Sequence, residues 1–193
     1  MSKPLLRLLA VLLALMSLPA LAVVEVRGVR FADTLSVGGQ SLQLNGAGVR
    51  VKVIIDVYAA ALYVPRKDHS SNVILEQNGA KSVQIVLLRE LTGEDFADAM
   101  LKGFRKNNSD TDNARYLPNL DAIRQHMMTL GTVRKGAVIQ INHLPGIGTR
   151  AIVDGQQRGP DIPGDDFYNA LLKIWLGNHP VDSGLKEDLL SAK

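Results

Sequence analysis

The 193-residue chain contains no cysteine. This absence excludes disulfide frameworks, thiolate zinc sites, thiol nucleophiles and iron–sulfur clusters. Histidine is scarce as well, since the chain holds only four. They are spaced at least 17 positions apart, at His69, His126, His143 and His179. No phosphate loop, dinucleotide-binding fingerprint or Gly-x-Ser-x-Gly elbow is present, so the sequence offers no nucleotide site or serine nucleophile of those kinds.

What the chain does contain is typical of a globular protein, with 46% hydrophobic and 21% charged residues. The sequence pI of about 9.2 hints at nucleic-acid binding. Part of this basic character lies at the N-terminus, because removal of residues 1–22 leaves 20 cationic against 19 acidic side chains, a formal charge of +1. A near-neutral domain gives no electrostatic reason to expect a nucleic-acid partner.

Residues 1–22 have the pattern of a secretory signal peptide. Two cationic side chains precede an apolar run, and Ala20 and Ala22 supply the small residues expected before a cleavage site at Val23. The alternative is an uncleaved anchor, but the run is shorter than the ~20 residues needed to span a bilayer. We therefore expect a periplasmic or otherwise exported protein with one domain, 23–193, and no stable membrane span after cleavage.

Apolar periodicity predicts strands in the first half of the mature chain and mixed strands and helices in the second. Gly38-Gly39 marks a hairpin turn, 45–48 is turn-like, and 49–64 reads as one long strand with a dry face at its odd positions. Further strands are predicted over 82–88, 137–143 and 149–153, helices over 70–78, 92–106, 117–130, 165–176 and 182–190, and a loop over 107–113. This order predicts one α+β domain, an antiparallel β-sheet covered on one face by a layer of α-helices.

An apolar stripe on the predicted helix 92–106 has two interpretations. Phe96, Met100 and Phe104 recur at a spacing of four, which is typical of a helix face packed into a core. The same stripe also suits the wall of a ligand cleft, because small-molecule pockets are mostly apolar with few polar anchors. The two interpretations are compatible.

Several segments, taken in order, resemble the chalcone isomerase-like family, in its bacterial exported branch. Each segment is a loose motif alone, but together they cover nearly all of the mature chain. The resemblance implies a chalcone isomerase fold, an open-faced sandwich with a ligand cleft between the sheet and the helices. The segments are Gly46–Arg50, Val57–Tyr63, Leu91–Phe96, Leu176–Asp182 and Leu185-Lys186.

This resemblance implies one of two functions. True chalcone isomerases use an Arg, helped by Thr, Tyr and Asn side chains, to close a flavanone ring, whereas related fatty-acid-binding proteins use the same Arg with a Tyr to hold a carboxylate. Arg50 matches the family Arg. Tyr58, Phe96, Gly103 and Ile174 stand where the isomerases have Thr, Tyr, Asn and Thr, so the helpers of catalysis are missing. The departures favour a non-catalytic lipid-binding protein without a cofactor.

The resemblance thus implies a ligand site for a small apolar carboxylate such as a fatty acid. Arg50 and Tyr58 would hold the carboxylate, or Arg50 would simply pair with an acid such as Asp56. The two site residues lie eight positions apart, ~26 Å along an unbroken strand, so they meet only if the chain folds back near 52–55. The predicted ligand-binding residues are Arg50, Tyr58, Tyr63, Phe96 and Met100. If Tyr58 does not reach the carboxylate, Lys52, Arg89 or Arg115 could hold it together with Arg50 instead.

Two alternatives remain open at the level of the sequence. One is an isomerase acting on a chalcone-like enone with Arg50 as its catalytic group. The other is a binder of haem or another flat apolar ligand, with a histidine as axial ligand. The sequence leaves the identity of the ligand and the oligomeric state undetermined.

Overall fold

The computed structural model describes residues 23–192, so the predicted signal peptide lies outside the described residues. Eleven strands and six helices follow one another over this range. The strands are β1 Val23–Val26, β2 Val29–Ala32, β3 Thr34–Val37, β4 Gln40–Lys52, β5 Ile55–Val64, β6 Lys81–Leu87, β7 Leu91–Thr92, β8 Thr132–Val133, β9 Val138–Leu144, β10 Gly148–Val153 and β11 Gln156–Gln157. The helices are α1 Ser71–Glu76, α2 Gly93–Asn107, α3 Asp110–Arg115, α4 Leu117–Met128, α5 Asp165–Leu176 and α6 Ser183–Leu189.

Seven of the strands form one antiparallel sheet in the order β11-β10-β9-β6-β5-β4-β3. On one face, α5 packs against β9 and β10, while α6 packs against β4 and β5. On the other face, the β1–β2 hairpin contributes Phe31 to a smaller core with Leu42, Leu44 and Tyr63. The predicted α+β fold, with helices on one face of an antiparallel sheet, is therefore confirmed.

Capping side chains stand at three of the predicted helix starts, residues 70, 92 and 182. The side chains of Ser70, Thr92 and Asp182 accept backbone N–H bonds at the starts of α1, α2 and α6. These bonds satisfy N–H groups that have no partner within the helix. The loop predicted over 107–113 is in part wrong, because Ser109 caps the short helix α3. No helix within residues 23–192 is long and apolar enough to cross a membrane.

The segment 45–48 was predicted to turn, but it continues strand β4 with a β-bulge at Asn45. Leu44 pairs with Tyr63 and Gly46 with Leu62, so Asn45 is an extra residue in the ladder. An extra residue reverses the alternation of side chains. Leu44 therefore faces the β1–β2 hairpin, whereas Gly46 and Arg50 face the helices.

Glycine in this strand allows helix α6 to lie directly on the sheet. A Cβ atom at Gly46 would stand 2.2 Å from the backbone oxygen of Asp188 and 2.8 Å from that of Leu189. The bulged Asn45 also holds the helix, because its side-chain amide donates to Leu189 O at 2.7 Å. The Gly-x-Gly-x-Arg segment thus fixes α6 against the strand that carries Arg50.

Gly46→Ala is expected to reduce the free energy of unfolding by about 2–3 kcal/mol, because the contacting atoms are backbone and cannot rotate away. Urea unfolding measures the change. Gly184→Ala is the matched control within α6, where the nearest atom to a Cβ lies 3.4 Å away. The control should lose no stability, since alanine favours a helix over glycine. Equal losses for both variants would contradict this role of Gly46.

The predicted strand 49–64 is in fact two strands joined at Val53 and Ile54, so the prediction of an unbroken strand is wrong. Lys52 pairs with Ile55 across the resulting hairpin. The predicted dry face is wrong as well, because Val53 lies at the turn and is 91% exposed. Nothing in the sequence marks this turn, since neither central residue is glycine, asparagine or aspartate.

A buried lysine lies at the start of β6, at the end of the sheet away from this hairpin and on the face covered by the helices. Lys81 is 1% exposed, and its Nζ donates to Asn169 Oδ1 at 2.9 Å and to Leu75 O at 3.3 Å. Burial lowers the pKa of Lys81 to about 8, against a smaller opposing effect of Asp165. The charged form is therefore less favourable in the folded protein than in the unfolded chain.

The lowered pKa of Lys81 predicts a stability that rises with pH. Between about pH 8 and its ordinary value of 10.5, the unfolded chain binds more protons at this site than the folded protein. The wild type should therefore gain about 2–3 kcal/mol of unfolding free energy over Lys81→Met across this window. Urea unfolding at both pH values measures the difference, with the exposed Lys135→Met as control. Parallel pH curves for wild type and Lys81→Met would contradict the prediction.

Candidate functional site

Arg50 and Tyr58 meet directly, because the hairpin at Val53 folds β5 back along β4. The two residues are cross-strand partners in the β4–β5 ladder. The guanidinium carbon of Arg50 lies 5.5 Å from the centre of the Tyr58 ring, within the range of a cation–π contact. A second bulge follows, since Val51 pairs with Asp56 and leaves Val57 as the extra residue. Bulges of this kind redirect side chains beside binding sites.

Tyr58 is buried and receives a hydrogen bond from helix α5. The indole Nε1 of Trp175 donates to Tyr58 Oη at 3.0 Å. A phenol that accepts this bond still has its own O–H proton to donate. Among residues 23–192 no acceptor takes that proton. The hydroxyl of Tyr58 is therefore a free donor at the surface between sheet and helices.

The electrostatic surroundings keep Tyr58 in its neutral form. Burial raises the pKa of Tyr58, and the nearby charge of Asp182 raises it further. The positive charge of Arg50 and the bond from Trp175 oppose the shift without cancelling it. The phenol thus retains its proton through the physiological pH range and remains a hydrogen-bond donor.

Arg50 has no acidic partner in the described part of the chain. Asp56, which the sequence offered as its partner, instead accepts from Arg27 Nε at 3.0 Å. Asp182 accepts from the backbone N–H groups of Val51 at 2.8 Å and Leu185 at 3.0 Å. No carboxylate lies within 4.0 Å of the Arg50 guanidinium in this range. Arg50 is half-buried, and its guanidinium contacts Tyr58 through the ring face and a hydrogen bond, not a carboxylate.

These side chains line a small, partly open cavity, called here the Arg50 cavity, with a volume of about 10 Å³. A space of this size holds about one water molecule. The walls come from the sheet, from α2 and α5, and from the segment before α6. The lining residues are Arg50, Tyr58, Phe96, Ala99, Met100, Ile174, Trp175 and Val181.

The position of helix α2 brings Phe96 and Met100 into this cavity. The helix begins at Gly93, where a Cβ would stand 1.9 Å from Met127 O. Thr92 Oγ1 accepts from Asp95 N at 3.0 Å, which fixes the first turn. The Leu91–Phe96 motif therefore sets the close approach of α2 to α4, and so the placement of Phe96.

Met100 separates the Arg50 cavity from a second cavity of about 10 Å³. The second cavity lies between α4 and the strands β9 and β10, with Ile123, Met127 and Ile141 among its walls. Methionine is unbranched and flexible, so its side chain adapts to irregular spaces. A change in the Met100 rotamer would join the two spaces.

The segment between α5 and α6 closes the cavity. Val181 lines it, and its backbone N–H donates to Ile174 O at 2.8 Å. Asp182 then connects the start of α6 to the hairpin through Val51 N. The Leu176–Asp182 motif therefore connects α5, α6 and strand β4 around the site.

Not every residue predicted for the site lies there. Arg50, Tyr58, Phe96 and Met100 share one cavity, but Tyr63 points to the opposite face of the sheet. Its hydroxyl donates to Ala32 O at 3.0 Å, which secures the β1–β2 hairpin. Tyr63 is five residues after Tyr58 in the same strand, and an odd spacing places side chains on opposite faces. Because one position is even and the other odd, the sequence alone was enough to place Tyr58 and Tyr63 on opposite faces of the strand.

Trp175 is the site residue that the sequence prediction missed. It was expected only as part of the apolar stripe of α5. A buried indole N–H needs an acceptor, and the phenol of Tyr58 supplies it from a strand more than one hundred positions away. The available signal was a tryptophan in the predicted helix 165–176 and a tyrosine on the even-numbered face of the predicted strand, opposite the face predicted to be dry.

Apart from Tyr58, the isomerase positions that differ in this chain are apolar in the structure. Gly103 and Ile174 face each other, since a Cβ at Gly103 would stand 3.0 Å from Ile174 Cγ2. Phe96 and Ile174 present only carbon atoms to the cavity. Beyond Arg50 and Tyr58, Trp175 supplies the remaining polar group of the walls.

The histidines lie apart from the Arg50 cavity. His126 borders the second cavity on α4. His143 is buried and contacts Asp165 Oδ1 at 3.0 Å and Gly79 O at 3.0 Å. This contact lowers the pKa of Asp165. Within residues 23–192 no cluster of three His, Asp or Glu side chains has the arrangement of a metal site.

The sheet, the helical layer and the cavity between them define an α+β protein of the chalcone isomerase fold. The family model described as chalcone isomerase-like matches residues 23–191. The chain therefore belongs to the chalcone isomerase-like family.

Among solved structures, the crystal structure of a fatty-acid binding protein from Arabidopsis thaliana has the same fold, with a TM-score of 0.64. The alignment covers 84% of this chain and 92% of that chain, at 16% sequence identity. This degree of identity establishes likeness of fold alone. A comparison with curated proteins gives no match.

Proposed function

We propose that the protein binds a fatty acid or a similar apolar carboxylate, without catalysis, in the cleft between the sheet and the helices. The observation that carries the proposal is that a guanidinium without an acidic partner and a phenol with a free O–H proton lie together at one apolar cavity. The Arg50 guanidinium has no acidic partner, and the Tyr58 hydroxyl proton has no acceptor, within the described residues. A carboxylate has the charge and the acceptor oxygens to satisfy both donors at once.

The acyl chain would lie against the apolar walls next to these donors. Phe96, Met100 and Ile174 provide a surface without polar atoms that need a partner. Transfer of each methylene from water to such a surface contributes about 0.8 kcal/mol. The chain would therefore supply most of the affinity, and Arg50 with Tyr58 would select the head group.

Binding requires the cleft to open, because the Arg50 cavity of about 10 Å³ holds about one water molecule. Met100 is the side chain whose movement joins this space to the second cavity. Helix α2 contacts α4 and α5 more than it contacts the sheet. In our proposal the ligand stabilises an opened form in which α2 has moved away from β4 and β5.

Export to the periplasm is part of the same proposal. It rests on the signal-peptide pattern of residues 1–22. The intact mass of protein recovered from the periplasm should correspond to a chain that starts at Val23. A mass that includes residues 1–22 would contradict cleavage.

The direct test of the proposed function compares an acid with its ester. Calorimetric titration of the purified protein should show palmitate binding at one site, and methyl palmitate binding at least tenfold more weakly. The ester keeps the acyl chain but lacks the charge that Arg50 would hold. Equal affinities would overturn the head-group role. Flavanone formation from a chalcone, abolished by Arg50→Ala, would show the isomerase alternative instead.

A further inference from the structure

The β4–β5 hairpin ends in an exposed group of aliphatic side chains, called here the aliphatic tip. It comprises Val51, Val53, Ile54 and Ile55, which are 39%, 91%, 87% and 47% exposed. Isolated apolar side chains at a protein surface are ordinary, but a contiguous apolar group marks an interaction site. Four of the nine large hydrophobic residues exposed within 23–192 lie in this one turn.

Folding does not account for these residues. Val53 has a φ of 63°, a conformation that is strained for a β-branched side chain. Two-residue hairpin turns favour glycine, asparagine or aspartate, which adopt positive φ at little cost. Only the first central residue has positive φ, so a Gly-Asn turn here would be more stable and more soluble than Val-Ile. The aliphatic pair is therefore retained in spite of local stability and solubility, which points to a partner outside the fold.

Basic side chains stand behind the tip. Arg50 precedes it on β4, and Lys52 lies between Val51 and Val53. Arg89 follows β6 beside the start of β5, as the bond from Leu88 N to Val57 O shows. Lys52 and Arg89 are exposed, and neither has a carboxylate within 4.0 Å among the described residues. An apolar end with cations behind it matches the profile of a bilayer with anionic headgroups.

The size of the tip favours a bilayer over a protein partner. A specific protein interface buries about 800 Å² on each side, which is more than four side chains on one projecting turn provide. A bilayer needs no matching surface, because its apolar interior accepts any aliphatic side chain. The tip also begins one residue after Arg50, so a bilayer that holds it faces the Arg50 side of the domain.

We propose that the aliphatic tip inserts into a bilayer that contains anionic phospholipid, and that the basic residues behind it contact the headgroups. Docking through the tip does not depend on the proposed function. The exchange of a fatty acid between the bilayer and the Arg50 cavity does rest on that function. An experiment can therefore disprove docking through the tip without disproving fatty-acid binding, and the reverse.

Co-sedimentation with vesicles tests the docking. Processed protein, verified by intact mass, is mixed with vesicles of phosphatidylcholine alone or with 30% phosphatidylglycerol. We expect binding to the anionic vesicles that weakens with salt, and weaker binding to phosphatidylcholine. Val53→Gly/Ile54→Asn should reduce the apparent partition coefficient at least tenfold while the urea midpoint stays equal or rises, because glycine adopts the positive φ of position 53 without strain. Ile147→Asn, which removes an exposed aliphatic side chain from another turn, should bind like the wild type.

Three results would overturn the proposal. They are no wild-type binding to either vesicle, equal binding of the double variant, or a dimer of the wild type that the double variant abolishes. Palmitate titration of the double variant in vesicle-free solution separates this proposal from the proposed function. Its affinity for palmitate should equal that of the wild type. Loss of vesicle binding with retained palmitate binding is the pattern expected of a tip that docks but does not hold the ligand.

Discussion

Arg50→Gln is expected to weaken palmitate binding about 100-fold while the protein stays folded. The substitution removes the charge from two hydrogen bonds to the carboxylate. A bond to a charged group contributes about 1.5–3 kcal/mol, and 1.4 kcal/mol corresponds to tenfold in affinity. Stability should hold, because Arg50 makes no ion pair within the described residues. Calorimetric titration measures the affinity for palmitate, and urea unfolding measures the stability.

Arg30→Gln is the matched control for this experiment. Arg30 lies on β2 and pairs with Glu25 at 3.4 Å in an exposed position on the other side of the sheet. It should bind palmitate like the wild type. The head-group role of Arg50 would be wrong if Arg50→Gln bound palmitate within threefold of the wild type. It would also be wrong if Arg50→Gln weakened the binding of methyl palmitate by the same factor as the binding of palmitate.

Met100→Ala is expected to have opposite effects on stability and on binding. Truncation of a buried methionine costs about 3–4 kcal/mol of unfolding free energy, through lost contacts and an enlarged cavity. The same truncation joins the Arg50 cavity to the second cavity. Part of the space for the acyl chain is then already open, so the affinity for palmitate should rise about tenfold. Urea unfolding and titration measure the two effects.

Met127→Ala separates the two effects of Met100→Ala. Met127 is also buried, but it lines the second cavity alone. Its truncation should lower stability to a similar extent without the tenfold gain in affinity. If both variants bound palmitate like the wild type, Met100 would have no part in opening the cleft. A loss of affinity in Met100→Ala alone would show that its side chain supports the ligand instead.

The fold was largely predictable because its signals are local. Ser70, Thr92 and Asp182 mark helix starts through their own side chains. The antiparallel sheet follows from alternating segments joined by short turns. The prediction was wrong where a local pattern was ambiguous, as at Asn45, whose neighbours Gly46 and Gly48 resemble a turn. Those glycines are instead required by helix α6, which lies far along the chain.

The candidate site was predictable in its residues but not in its geometry. The resemblance identified Arg50 and Tyr58, but an apparently continuous strand separated them by many ångströms. The turn at Val53 is invisible to turn propensities, because an aliphatic residue occupies a position that favours glycine. Trp175 was missed for another reason. Its contact with Tyr58 depends on how α5 packs on the sheet, and no local pattern contains that information.

Native mass spectrometry of protein freshly isolated from the periplasm tests the central claim most directly. The account predicts a processed chain with one bound species, whose released mass is that of a fatty acid. The matched preparation of Arg50→Gln should be largely free of it, and Arg30→Gln should carry it. A wild type that co-purifies without ligand and takes up no added palmitate would contradict the account. Equal loading of Arg50→Gln and the wild type would contradict the role of Arg50.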